Sequence, residues 1–412
     1  MDYIPWTPSL GHQHLVFTTV VGDRVTQLRS TTMSPTSLHR TIAILLISTL
    51  VISASMANEY EGYEFEIGEG NTITITGYSG PGGDLIIPSV INGIPVTRIA
   101  RSAFREYALD DPDRMITSVR FPEGLTSVGR LAFHRNRMIR EVYIPASLTD
   151  ITRPAFGRNP SLMNFHIHED NPEFRSVDGV WYTRDMKELR HFPQGRGGSY
   201  TVPDGVEHIR DEAFRFNREI EAIHIPNSVT LIGKQAFREC VKLTELVLPE
   251  NLESLVVQGR HFLGCTGLTR IVLPDSLTIL PRWSFQNCTN LREVILPKNL
   301  TQIGEGAFLN CTSLERIVIP ASFRAFRGNE TFAGCVNLKK IIFLGDAPEV
   351  IGRDHFPPNV TIYHRADATG WTGSVEPEDA SDSLEAILGD AASALPEPEK
   401  LWNGRPTAIY EP

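Results

Sequence analysis

The five cysteines are the most reactive set in this sequence. Cys240, Cys265, Cys288, Cys311 and Cys335 each stand three residues after a phenylalanine, so a repeating fold places them in one column. Such a column offers three chemistries: disulfides, a thiolate ladder for metal, or buried thiols. Stacked positions lie about 4.8 Å apart with parallel Cβ vectors, whereas a bridge wants Cβ atoms about 3.8 Å apart and turned toward each other. The count is odd, and Asn136, Asn159 and Asn217 hold the same place in earlier repeats. A small inward polar group bonding the turn backbone is therefore expected, with free thiols, no disulfide and no metal.

Histidine gives a weaker signal. His166 and His224 share the outward mid-strand position, two strands or roughly 9.6 Å apart, and zinc needs its nitrogens about 2.1 Å away. They read as surface histidines, and His191 and His208 add no ligand spacing. No nucleophile with a base, paired carboxylates or phosphate loop stands out. Gly195-Arg196-Gly197-Gly198 is a turn, since no strand-loop-helix unit surrounds it. The sequons Asn299-Leu300-Thr301 and Asn329-Glu330-Thr331 fit turn composition. No catalytic residue and no cofactor is expected.

Binding is the remaining chemistry, and it falls on the outward stripe. The mid-strand exposed position runs Arg120, Tyr143, His166, Thr201, His224, Val247, Val272, Ile295, Val318 and Ile342, polar or aromatic first and aliphatic after. Beside it run Glu245, Arg270, Glu293, Arg316 and Lys340, of which the first four alternate in sign, as a cross-strand ion ladder would. These residues either keep register and satisfy strand propensity, or they form a protein-binding groove of aliphatic side chains flanked by charge. Trp181 and Tyr182, with His191, Phe192 and Tyr200, form a second candidate. They either stack on sugar rings or fill the small core of a hairpin, and the core is the favoured alternative.

The elements that position these residues are repeats. Phe133, Phe156, Phe214, Phe237, Phe262, Phe285, Phe308 and Phe332 recur at steps of 23 or close to it, apart from one long interval. Leu243-x-x-Leu246-x-Leu248-Pro249 recurs from Leu268, Leu291 and Leu314. Each proline is followed by a polar turn, a second apolar pair such as Leu300 and Ile303, then glycine and Ala-Phe. This order is one short strand, a tight turn and an inward-packing return. Six or seven buried side chains at about 1.5 to 3 kcal/mol each do not exceed the cost of ordering 23 residues at about 1 to 2 kcal/mol apiece. Single units therefore do not fold alone, and stacking must supply the core.

The pattern Leu-x-x-Leu-x-Leu-Pro, turn, Ile-Gly-x-x-Ala-Phe-x-x-Cys resembles the BspA-like class of bacterial leucine-rich repeats over about residues 60 to 373. The resemblance implies a repeat solenoid with a parallel in-register β-sheet on one face and short turns or single-turn helices on the other. It also implies surface attachment. Asn251 and Asn299 directly precede Leu252 and Leu300, so an internal asparagine ladder is not expected.

Irregular stretches set the boundaries. Residues 58–99, with the alternating Thr72-Ile73-Thr74-Ile75-Thr76, read as an N-terminal β cap. Repeats follow over 100–345, with a loop near Asp110-Asp111-Pro112 and a projecting hairpin island at 171–198. A C-terminal cap is expected over 346–373, an acidic low-complexity insertion over 374–400 that is mostly disordered or forms one short helix near 383–395, and a terminal cap segment over 401–412. Arg40, the apolar run Ile42 to Ile52 and Ser55-Met56-Ala57 form a signal peptide at 33–57. On this reading Met33 is the true start and residues 1–32 are an upstream extension.

The net charge of −10 disfavours nucleic acid and anionic membrane as partners. The expectation is a secreted or cell-surface monomer, without a transmembrane segment in the mature chain, that binds a protein or glycan through its sheet face. The alternatives are an enzyme or enzyme-associated subunit presenting a substrate, and a structural envelope component.

Overall fold

The computed structural model describes residues 18–21, 24–27, 58–107, 111–255, 259–371, 400–402 and 405–410. The signal segment at 33–57, the helix near 383–395 and nearly all of the acidic segment lie outside these residues. The chain divides into two units, 1–58 and 59–412. In the first, Thr18–Val21 and Arg24–Gln27 form an antiparallel pair.

The second unit is a β-solenoid in which strands from successive repeats pair in parallel at the 23-residue step. On its front, Glu141–Ile144 lies between Ile116–Arg120 and Asn164–Ile167, with Tyr143 opposite both Arg120 and His166. On its back, two-residue strands such as Gln302–Ile303 and Ala325–Phe326 pair in the same sense. The second face is therefore built of short strands and turns. Among the described residues a single helical turn occurs, Pro112–Arg114, in the loop expected there.

The recurrent phenylalanine explains why the units stack. Phe237, Phe262, Phe285, Phe308 and Phe332 lie ring on ring with centroids 5.1 to 5.6 Å apart, the offset spacing that aromatic pairs prefer. The glycine of the Ile-Gly step is fixed by the same closeness. A Cβ on Gly304 would sit 2.6 Å from the Arg282 amide nitrogen of the preceding turn.

The column residues close each turn from inside. The thiols of Cys240, Cys265, Cys288, Cys311 and Cys335 donate to the carbonyls of Phe214, Phe237, Phe262, Phe285 and Phe308 at 3.0 to 3.1 Å. All five are buried and free, and burial pushes Cys265 up to about 12. Asn136 and Asn159 do the same through their amides, donating to Phe104 and Phe133. The preceding residue takes a left-handed conformation, as at Glu239, Asn287 and Asn310, which turns the column residue inward.

The island does not project. Phe174–Val177 pairs antiparallel with Val180–Thr183, which pairs antiparallel with Glu188–His191, and that strand runs parallel to His208–Ile209 of the next repeat. Val180–Thr183 thus becomes an interior wall. Trp181 belongs to the core of residues 63–181, while Val180 and Tyr182 belong to the core of residues 180–371. Phe192 resumes the phenylalanine spine, stacked on Phe214 at 4.9 Å.

At the ends, Thr72–Tyr78 pairs with Tyr63–Gly68 and carries the back sheet into the first repeat. At the far end Thr361–Arg365 pairs in parallel with Arg405–Tyr410, and Lys400–Trp402 folds back on that strand.

Candidate recognition surface

The front sheet presents a polar stack and an aliphatic stripe. The polar stack starts from Tyr143, whose register neighbours are Arg120 and His166. The Arg120 guanidinium lies 3.8 Å from the centre of the Tyr143 ring, and the His166 ring stacks on Tyr143 at 4.5 Å and 12°. His166 Nε2 is held by Glu141 Oε2 at 2.6 Å, and Asn164 Nδ2 donates to Glu141 Oε1 at 3.1 Å. Flanked on both sides, the Tyr143 ring has no free face on which a sugar could stack. Glu141 is a neighbour of this stack that sequence spacing did not single out, because an acidic residue at a strand start is unremarkable on its own.

His166 and His224 stand on strands of two different front sheets. His166 ends one front sheet, and His224 belongs to another that begins at Gly198–Thr201. His224 is half-buried, opposite Thr201 and Val247. Among the described residues no group of three or more His, Cys, Asp or Glu side chains is placed to hold a metal.

The aliphatic stripe is real over three strands. Val247, Val272 and Ile295 are 49%, 43% and 40% exposed, and Val318 is half-buried. Ile342 does not continue it. It is fully buried, as is Tyr363 opposite it. Covering these outward apolar residues removes their area from water.

Trp181 and Tyr182 are likewise not surface residues, at 3% and 0% exposure. The wall strand that holds them is covered on both faces, so they are core and offer no stacking platform. Tyr182 shares a hydroxyl hydrogen bond with Tyr200.

The ion ladder is shorter than its sequence. Arg270 Nε donates to Glu293 Oε2 at 2.6 Å across paired strands. Hydrogen-bonded pairing breaks between Glu245–Val247 and Arg270–Val272, and again between Glu293–Ile295 and Arg316–Ile319. Glu245 is in register with Ala222 on its other side. The step from Phe237 to Phe262 is 25 residues rather than 23.

Parallel strands, a phenylalanine spine and an inward polar column define a bacterial-type leucine-rich-repeat solenoid. The family model described as "BspA type Leucine rich repeat region" matches in six copies over residues 89–177, 198–259 and 256–356, more than half of the chain. The chain belongs to this family.

Among solved structures, a leucine-rich repeat protein from Bacteroides ovatus is similar at 21% identity, covering 86% of this chain and 78% of that one, with a TM-score of 0.49. A leucine-rich cell surface protein from Faecalibacterium prausnitzii is 22% identical, covering 71% of this chain and 95% of its own, with a TM-score of 0.37. The pneumococcal vaccine antigen PcpA is 17% identical, covering 75% and 93%, with a TM-score of 0.41. Comparison with curated proteins finds no match. Among the described residues no helix is long and apolar enough to cross a membrane.

Proposed function

We propose that this chain is an extracellular, non-catalytic recognition module that binds a protein partner through the front face of its repeats. The observation that carries the proposal is the run of Val247, Val272 and Ile295, each 40% or more exposed on a front strand whose inward apolar residues are buried. Aliphatic area aligned on rigid parallel strands, with charge beside it, matches the make-up of a protein interface. A glycan is the weaker reading for this face, because Tyr143 is flanked on both sides and Trp181 and Tyr182 are core. Placement outside the cell rests on the segment from Arg40 through Ser55-Met56-Ala57.

The bonded pair Arg270–Glu293 leaves little net charge in the middle of the stripe. Apolar contact therefore dominates, and exposed charge pairs contribute little. Binding to immobilised extracellular-matrix proteins is expected to change by less than about threefold between about 0.05 M and 0.5 M salt, where surface charge is progressively screened. A loss of roughly a hundredfold over that range would instead place the affinity in the charged residues.

A further inference from the structure

The island leaves a seam where the back strand Asp150–Ile151 ends one sheet and Phe174–Val177 begins the next. Arg153 crosses this seam, its guanidinium donating to the carbonyl of Asp211. Behind Arg153 lies a cavity of about 30 Å³, lined among others by His134, Trp181, Arg190, His191 and Arg215. That volume exceeds what one ordered water requires.

The polar atoms around it are unusually bare. Among the described residues ten buried side-chain nitrogen or oxygen atoms lack a hydrogen-bond partner. Five of those ten belong to residues lining this cavity: His134 Nδ1, Trp181 Nε1, Arg190 Nε, His191 Nε2 and Arg215 Nε. Indole and guanidinium nitrogens only donate, so the missing partner is an acceptor. The one lining carboxylate, Glu212, is already bonded to Arg215 Nη1 at 2.6 Å.

Charge points the same way. Burial, with Arg153 nearby, pushes His191 down to about 3, and burial with the neighbouring arginines pushes His134 down to about 4. Both imidazoles are neutral at pH 7. Among the lining residues Arg153, Arg190 and Arg215 outnumber the single carboxylate, Glu212, and the carboxylates of Asp211, Glu173, Glu188 and Glu239 act on them from outside the lining. Water could accept these hydrogen bonds, whereas an oxyanion would accept them as charge-assisted bonds and also offset the excess of positive charge in the lining.

We propose that the seam cavity binds a compact oxyanion of the sulfate or phosphate class. An open groove of about 350 Å³ shares Arg153, Pro154 and Glu212 with the cavity and is bordered by Arg130, Arg210 and Lys234. The oxyanion is thus either a free ion or the end group of a larger ligand lying in the groove.

Calorimetric titration of the full chain with inorganic sulfate, inorganic phosphate, phenyl sulfate and phenyl phosphate, at an ionic strength held constant with sodium chloride, tests the site. The variants Trp181→Phe and Arg190→Met each remove donors while keeping apolar bulk, and circular dichroism checks that they fold. Binding of an oxyanion, weakened about tenfold or more in a folded variant, is the expected result, the size of losing a charge-assisted hydrogen bond. Tighter binding of the phenyl esters assigns the site to an end group, and equal or weaker binding assigns it to the free ion. The proposal is overturned if none of the four binds, if chloride competes equally, or if the folded variants bind as the parent does.

Discussion

A single residue position shows how the stack tolerates exceptions. The place before the spine phenylalanine is alanine at Ala132, Ala155, Ala213, Ala236 and Ala307, serine at Ser284, threonine at Thr331 and histidine at His191 and His261. His261 is fully buried and neither ring nitrogen has a partner among the described residues. Burial pushes it down to about 4, against an unfolded value near 6.5. Between those values the unfolded chain takes up a proton that the folded chain refuses, so stability present at pH 7 is lost as pH falls from about 6.5 to about 4. In urea titrations the parent should lose about 2 kcal/mol more than His261→Ala between pH 7 and pH 4.5. Equal losses in the two proteins would show that His261 is protonated in the fold. The cysteine column was legible because one spacing governed both the thiols and Asn136, Asn159 and Asn217. The exposure of Ile342 was misjudged because strand alternation reports which face a residue takes, and says nothing of what covers that face.

At the scale of the element, the front strands could be read from Leu-x-x-Leu-x-Leu-Pro because their side chains alternate strictly. The island could not. Its aromatic residues carry the same alternation whether a hairpin projects or folds in, and the deciding feature is pairing with His208–Ile209, twenty residues on. One signal was present: His191-Phe192 occupies the Ala-Phe place and keeps the spine in step. The ion ladder keeps its Arg270–Glu293 rung, and strand pairing is continuous there but breaks on either side of it, which sign alternation alone does not report. The Ile-Gly step yields a sharp test. Gly304→Ala places a methyl 2.6 Å from the Arg282 amide nitrogen, and overpacking of this kind costs typically about 1–3 kcal/mol. A thermal unfolding midpoint unchanged from the parent would mean that the repeats are less tightly stacked than Phe285 and Phe308, at 5.5 Å, imply.

For the molecule as a whole, stacking makes a rigid display of whatever stands at the outward position. Two cores meet at the wall strand Val180–Thr183; the stack of Arg120, Tyr143 and His166 precedes it in the chain, while Thr201 and His224 follow it in one sheet with Val247. The fold was legible from the 23-residue period, because a unit too small to fold alone must repeat. The candidate surface was legible only in part, since its exposed members separate from its covered ones through the ends of the stack and the island. The central claim is that Val247, Val272 and Ile295 are the contact surface. The double variant Val272→Ser, Ile295→Ser tests it most directly, by the affinity of a matrix-protein partner measured alongside the melting temperature. Two aliphatic side chains worth on the order of 1 kcal/mol each predict a loss of about tenfold to thirtyfold, with melting unchanged because both are outward. Affinity equal to the parent's in a variant that melts normally would contradict the claim.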